Sequence, residues 1–332
     1  MVPQLGFRTV TWMIGGSDKL FTGAVEAIPV LGFLDAHIGW GTPCVVLIAV
    51  AVVLWGPRFA TSLPWRPLVF STWALSAAWS MSLAMVDGWD RGFAGRLTTR
   101  DEYLHEVPGI DDIPSALQGF TGRILDYQPD SWTTHVSGHP PGAVLTFVWL
   151  DRLGLGGGVW ASVLCVLVGS SAAAAVVVAL RALGDETMAR RAAPFVALAP
   201  VAIWIAVSAD GMFAGVVAWG IALLAIAARA RGARRFVLAL AAGIVLGWGV
   251  YLSYGLTLMA LPALAVLLVR RTAWPLLGAL LGAGRWLGCS LRLVSGGSMV
   301  TSLCRTGITK ALQRCARSLT GAGRTSHRWC AR

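Results

Sequence analysis

The sequence predicts an all-α protein, a polytopic transmembrane helical bundle with a long extracytoplasmic loop containing an interfacial helix. Three observations predict it. Of 332 residues, 56% are hydrophobic and 13% are charged, the latter about half the norm for a soluble domain. Several apolar runs approach the ~20 residues needed to span a bilayer, whereas a barrel would need short alternating strands. Between residues 87 and 141 the chain turns polar and gathers most of the side chains able to do chemistry.

Residues 1–37 are mixed. Leu20 to Leu34 is apolar but carries Glu26 and Pro29, and so reads as a marginal span or an interfacial helix. No basic stretch leads into an apolar core with a small-residue cleavage site, so nothing there reads as a cleavable signal. Residues 38–86 hold the first spans. Ile38 to Gly56 is long enough to cross. Pro57 to Pro67 is a connection whose Arg58 and Arg66 favour the cytoplasmic side. Leu68 to Val86 then delivers Asp87 to the opposite face.

The loop, residues 87–141, opens with Asp87-Gly-Trp-Asp90-Arg91. Farther on, Asp111-Asp112-Ile-Pro114 signals a helix start: an acidic cap, then proline in the first turn. Ile113, Leu117, Phe120 and Ile124 follow on one apolar face, so this helix is expected along the membrane interface. The loop closes on His135-Val-Ser-Gly-His139-Pro-Pro141.

Residues 142–284 form the main membrane region. Gly142 to Leu150 is too short to cross, and Val159 to Leu180 is a full span. Two hairpins follow: Phe195 to Val207 with Met212 to Ala228, then Phe236 to Leu252 with Leu256 to Val269. Arginines punctuate them at 181, 190, 191, 229, 231, 234, 235, 270 and 271. All fall on one face if residues 142–153 re-enter or lie at the interface. The loop, Asp210 and Tyr254 then share the extracytoplasmic face. Small-residue pairs Gly211/Gly215, Gly243/Gly247 and Gly278/Gly282 suit close helix packing.

At residue 285 the character changes. Residues 285–332 carry nine Lys/Arg and no acid, along with Cys289, Cys304, Cys315 and Cys330. The span beginning at Trp274 stops abruptly. This mixture is what GC-rich coding DNA yields out of frame, and it predicts an unselected, disordered tail. A basic tail touching anionic lipid is the alternative. The net charge of +11 is largely this tail, since 18 basic and 16 acidic residues precede it. Nucleic-acid binding is therefore not expected of the folded part. No Cys/His spacing suggests zinc.

Asp87 and Asp90 lie just past a span, beside Trp89 and Arg91. There an acid can serve as general base or metal ligand, or can simply be solvated charge. Asp101-Glu102 is a second acidic pair, suited to a divalent cation or to split acid and base roles; an exposed polar loop is the plainer reading. His135 and His139 are four apart, but Ser137-Gly138 and Pro140-Pro141 argue against a regular helix and hence against a metal pair. A histidine in such a turn can cap the next helix or bond a phosphate or sugar. Asp210 reads as an N-cap for the helix from Gly211, placed on the same face as the two histidines. Tyr251 and Tyr254 read as interfacial anchors. His135, His139 and Asp210 are taken as substrate-binding candidates, Asp87 and Asp90 as catalytic candidates, and no metal set is assigned.

The acid-bearing first loop, its interfacial helix and the Gly138-His-Pro-Pro-Gly142 stretch together resemble the GT-C superfamily of polytopic glycosyltransferases. That type is related to protein O-mannosyltransferases and aminoarabinose transferases. The match is narrower to uncharacterised actinobacterial integral membrane proteins, where Ser208-Ala-Asp-Gly and Leu252-Ser-Tyr-Gly also look familiar. It covers roughly residues 66–284. The resemblance implies a polyprenyl-phosphate sugar donor, transfer at the outer face of the cell membrane, and a first-loop acid as base or metal ligand. By position that acid is Asp87 or Asp90, so Asp87→Asn or Asp90→Asn should abolish transfer. Superfamily members continue with further spans and loops, which puts activity of this chain in question. A non-enzymatic integral membrane protein, a transporter component or scaffold, is the alternative. Acids buried at mid-span would favour transport, and only Glu26 is a candidate. An acyltransferase lacks a Ser/His/Asp arrangement, although His139 keeps it open.

Overall fold

A computed structural model describes residues 37–125 and 128–294. Leu20 to Leu34, and the tail beyond residue 294 with Cys304, Cys315 and Cys330, lie outside the described residues. The fold is all-α, with no strand among the described residues.

Two long helices come first, α1 (Thr42–Ser62) and α2 (Trp65–Ala84). The loop holds α3 (Ile113–Gly119) and α4 (Thr134–Gly138). Then come α5 (Gly142–Arg152), α6 (Gly158–Leu183), α7 (Glu186–Ala197), α8 (Ala202–Ile205), α9 (Ala209–Arg229), α10 (Gly232–Leu252), α11 (Ala260–Val269) and α12 (Trp274–Val294). Four of these, α1, α6, α9 and α10, are long and apolar enough to cross a membrane. The expected span Leu68–Val86 corresponds to α2. It has the length, but it buries Thr72, Ser76 and Ser80 and is less apolar than those four.

The bundle has two distinct ends. At one, Arg190 donates to the carbonyls of Ala60 and Leu63 at 2.9 and 2.8 Å, completing the C-terminal turn of α1. Arg229 donates to the Arg181 carbonyl and Arg270 to that of Leu183. The arginine clusters thus gather at a single end. At the other end Gly41 N–H donates to the Met85 carbonyl, and Ser162 Oγ to the Phe93 carbonyl at 2.7 Å. α5, about 16 Å long, stays at this end. Its start abuts Tyr251, and Arg152 at its finish donates to the Asp111 carbonyl at 2.6 Å. Because α5 does not cross, the clusters on either side of it share a face.

The glycine pairs lie where helices touch. A Cβ on Gly215 would run into the Val168 carbonyl of α6. One on Gly243 would meet the Ala279 carbonyl, and one on Gly282 the Leu240 carbonyl, so α10 and α12 approach backbone to backbone.

Four local expectations need correction. Pro57 does not end α1, which runs on to Ser62. One missing N–H costs a single ladder bond, and the continuation is held by Gly56 against Pro194 and by Arg190 on its last carbonyls. Phe195 to Val207 is not one helix. α7 starts earlier, at Glu186, and the chain breaks before α8 at Pro200, where the Ala199 carbonyl accepts from Trp79 Nε1. α12 continues to Val294 rather than stopping near Gly284, and Trp286 packs on Trp248 and Tyr251. Finally, α3 turns its apolar side inward. Asp112 caps it, accepting from Ser115 N–H at 2.9 Å, but Ile113, Phe120 and Ile124 pack into the protein.

Candidate functional site

The loop has enough apolar side chains to build a core of its own. Leu97, Tyr103, Val107, Ile110, Phe120, Trp132 and Val136 are all buried, and they join Phe147 of α5, Cys165 of α6 and Phe213 of α9 in one cluster. Trp132 Nε1 donates to the Phe120 carbonyl at 2.9 Å, and Arg123 lies over the Trp132 ring at 3.4 Å. Glu106 accepts from Thr133 N–H at 2.8 Å and faces Arg123 at 3.6 Å. These ties fold the loop back over the ends of α6 and α9.

Tyr103 is the centre of that fold-back. Its ring is 2% exposed and lies 5.8 Å from His135, 5.7 Å from His139, 5.6 Å from Phe147 and 6.4 Å from Phe213. The two histidines therefore sit against one aromatic platform, although they are four apart in sequence. Residues 134–138 do form a short helix, α4, against the expectation of an irregular turn. It ends at His139, whose extended backbone leads into Pro140 and Pro141.

Both imidazoles are oriented by backbone carbonyls. His135 Nδ1 lies 2.6 Å from the Asp101 carbonyl, which also accepts from His135 N–H at 3.1 Å. His139 Nδ1 lies 2.9 Å from the His135 carbonyl. A ring nitrogen at that distance from a carbonyl carries the proton, so each Nε2 is the acceptor in the neutral ring. His139 Nε2 lies 3.9 Å from Asp210 Oδ1. That is too long for a direct hydrogen bond, but short enough for one ligand oxygen to reach both.

Asp210 is free for this role because it is not the cap of α9. Ser208 is, its Oγ accepting from Gly211 N–H at 3.0 Å. Asp210 sits in the first turn with its side chain 69% exposed.

Glu102 is the residue that sequence reasoning undervalued. It is 8% exposed, and its Oε2 lies 3.8 Å from His135 Nδ1. Burial pushes its carboxyl above the ordinary glutamate range; His135 and Arg96 pull it down, while Asp210 and Asp101 add to the rise. Burial also raises the Tyr103 phenol, which stays neutral. The signal in the sequence was the run of spaced apolar residues around Glu102, which marks a loop with a core rather than an exposed one.

Asp87 and Asp90 fall elsewhere. Asp87 Oδ1 lies 3.2 Å from His37 Nε2 and 3.6 Å from Arg91 Nε, just past the C-terminal end of α2. Asp90 is exposed on a π-helical turn, Trp89–Ala94, which starts after Gly88 at φ 87°, a conformation that favours glycine. Among the described residues no hydrogen bond or ion pair joins either aspartate to His135, His139 or Asp210. Nor do the described residues contain a group of three or more His, Cys, Asp or Glu side chains arranged to hold a metal.

Chemically, the cluster offers oriented imidazoles, an exposed carboxylate and a buried carboxyl within one aromatic-walled site. Comparison with family models, curated proteins and solved structures finds no match to the chain.

Proposed function

We propose that this chain is a multi-pass cell-membrane protein that transfers a sugar from a polyprenyl-phosphate donor to an acceptor hydroxyl, in the manner of GT-C glycosyltransferases. The reading is carried by one observation: Glu102, His139 and Asp210, from separate parts of the chain, converge at the bundle end opposite the arginine clusters. By the bias of arginine toward the cytoplasm, that end is extracytoplasmic.

The chemistry is general-base transfer. A base at the site, the Asp210 carboxylate or His139 Nε2, takes the acceptor hydroxyl proton. The acceptor oxygen bonds to the anomeric carbon as its bond to phosphate oxygen breaks, and the lipid phosphate leaves with the electron pair. The carbonyl contacts at both Nδ1 atoms fix the rings for this without a second carboxylate.

Testing it requires the full chain in proteoliposomes with radiolabelled polyprenyl-phosphate hexose and pentose donors. Label moving to a water-soluble hydroxyl acceptor above protein-free vesicles supports the proposal. Label retained entirely in lipid with every donor contradicts it and leaves the scaffold reading.

A further inference from the structure

A groove opens on the outer surface of the bundle, with residues of α2, α6 and α9 lining it. Its volume is about 420 Å³. It begins at the arginine end and belongs to none of the machinery described above.

Its walls are nearly all carbon. Trp65, Phe70, Trp73 and Trp219 line it, and two indole donors are already satisfied inside the protein. Trp73 Nε1 donates to the Leu167 carbonyl at 2.9 Å, and Trp219 Nε1 to Ser171 Oγ at 3.0 Å. Those bonds also fix the rings, so the groove is formed before anything enters it.

Arg66 is the only charged residue of the lining. It makes no hydrogen bond or ion pair among the described residues. Nearby Arg181 lies over Trp65 at 4.1 Å but is engaged by Glu186 at 2.9 Å. From Arg66 the groove runs toward Trp73, about 10 Å farther along α2. A cation at the mouth of a fixed apolar channel complements a molecule with a phosphate head and a hydrocarbon chain.

We propose that the groove binds one anionic phospholipid of the leaflet at the arginine end, one acyl chain lying along the tryptophans and the phosphate on Arg66. The site uses no residue of the transfer reading, so the two stand or fall separately.

Native mass spectrometry of the full chain, released from detergent holding equal phosphatidylglycerol and phosphatidylcholine, tests this. One phosphatidylglycerol retained at about tenfold preference is the expected result, because the choline cation of phosphatidylcholine offsets the attraction of its phosphate to Arg66. Arg66→Gln, an exposed change, should erase the preference, and Val178→Trp, which fills the groove, should remove the bound lipid. Inorganic phosphate should not displace it. Equal retention of both lipids, an undiminished preference in Arg66→Gln, or displacement by inorganic phosphate alone would overturn the proposal.

Discussion

His139 Nε2 faces Asp210 Oδ1 across 3.9 Å, while His139 Nδ1 is held 2.9 Å from the His135 carbonyl. The ring is thus fixed on its protein side and open on the side that meets the carboxylate. If the pair acts on one hydroxyl, His139→Ala and Asp210→Asn should each lower the transfer rate by about 10²–10⁴-fold. The double variant should be hardly worse than either single one, because the two groups work as a unit. Rates that multiply would show independent roles.

Glu102 predicts a pH dependence of stability. Burial raises its carboxyl in the folded chain above the ordinary value of 4.5. The unfolded chain therefore ionises first as pH rises. Its contribution is full below that ordinary value and is lost as pH climbs through the raised one. Glu102→Gln should raise the melting temperature at neutral pH and shrink the difference from the parent toward pH 4.5. A melting curve lowered at every pH would show that the ionised carboxylate is needed for the fold.

Arg123 is the clasp of the loop: it covers Trp132, faces Glu106 and donates to the Asp130 carbonyl at 2.7 Å. Arg123→Ala should cost about 1–2 kcal/mol, since a partly exposed cation–π contact and one charged hydrogen bond are lost. Hydrogen exchange should quicken first over residues 128–135. Unchanged exchange there would mean that the buried aromatic residues hold the loop unaided.

The α10–α12 contact can be probed at its glycines. Gly243 has no room for a Cβ, while Gly284 faces open space. Gly243→Val should destabilise by about 1–3 kcal/mol as the helices are forced apart. Gly284→Val should be neutral or slightly stabilising, because valine has the higher helix propensity. Equal melting temperatures for the two variants would place no close contact at Gly243.

Much of this was legible in the sequence. The helical class follows from apolar run lengths, the close contacts from paired glycines, and the cap at Asp112 from its acid-x-proline pattern. The arrangement of arginines at one end follows from residues 142–153 being too short to cross. The rest depends on distant contacts. Pro57 is tolerated because α7 packs on the turn beyond it. Ser208 caps α9 in place of Asp210 because its hydroxyl, not the carboxylate, meets Gly211 N–H. Glu102 is buried because Tyr103 beside it fills the space between α5 and α9. A carboxylate at the end of a span, such as Asp87, draws notice by position, whereas one tucked under a folded loop does not.

The most direct measurement compares transfer rates, in the same proteoliposomes and at equal protein, for two sets of variants. His139→Ala and Asp210→Asn report on the histidine–tyrosine cluster, and Asp87→Asn and Asp90→Asn on the end of α2. The cluster variants should fall about hundredfold or more, with the other two within about twofold of the parent. Full activity in His139→Ala and Asp210→Asn, with loss in Asp87→Asn or Asp90→Asn, would contradict the account and move the reacting acid to the end of α2.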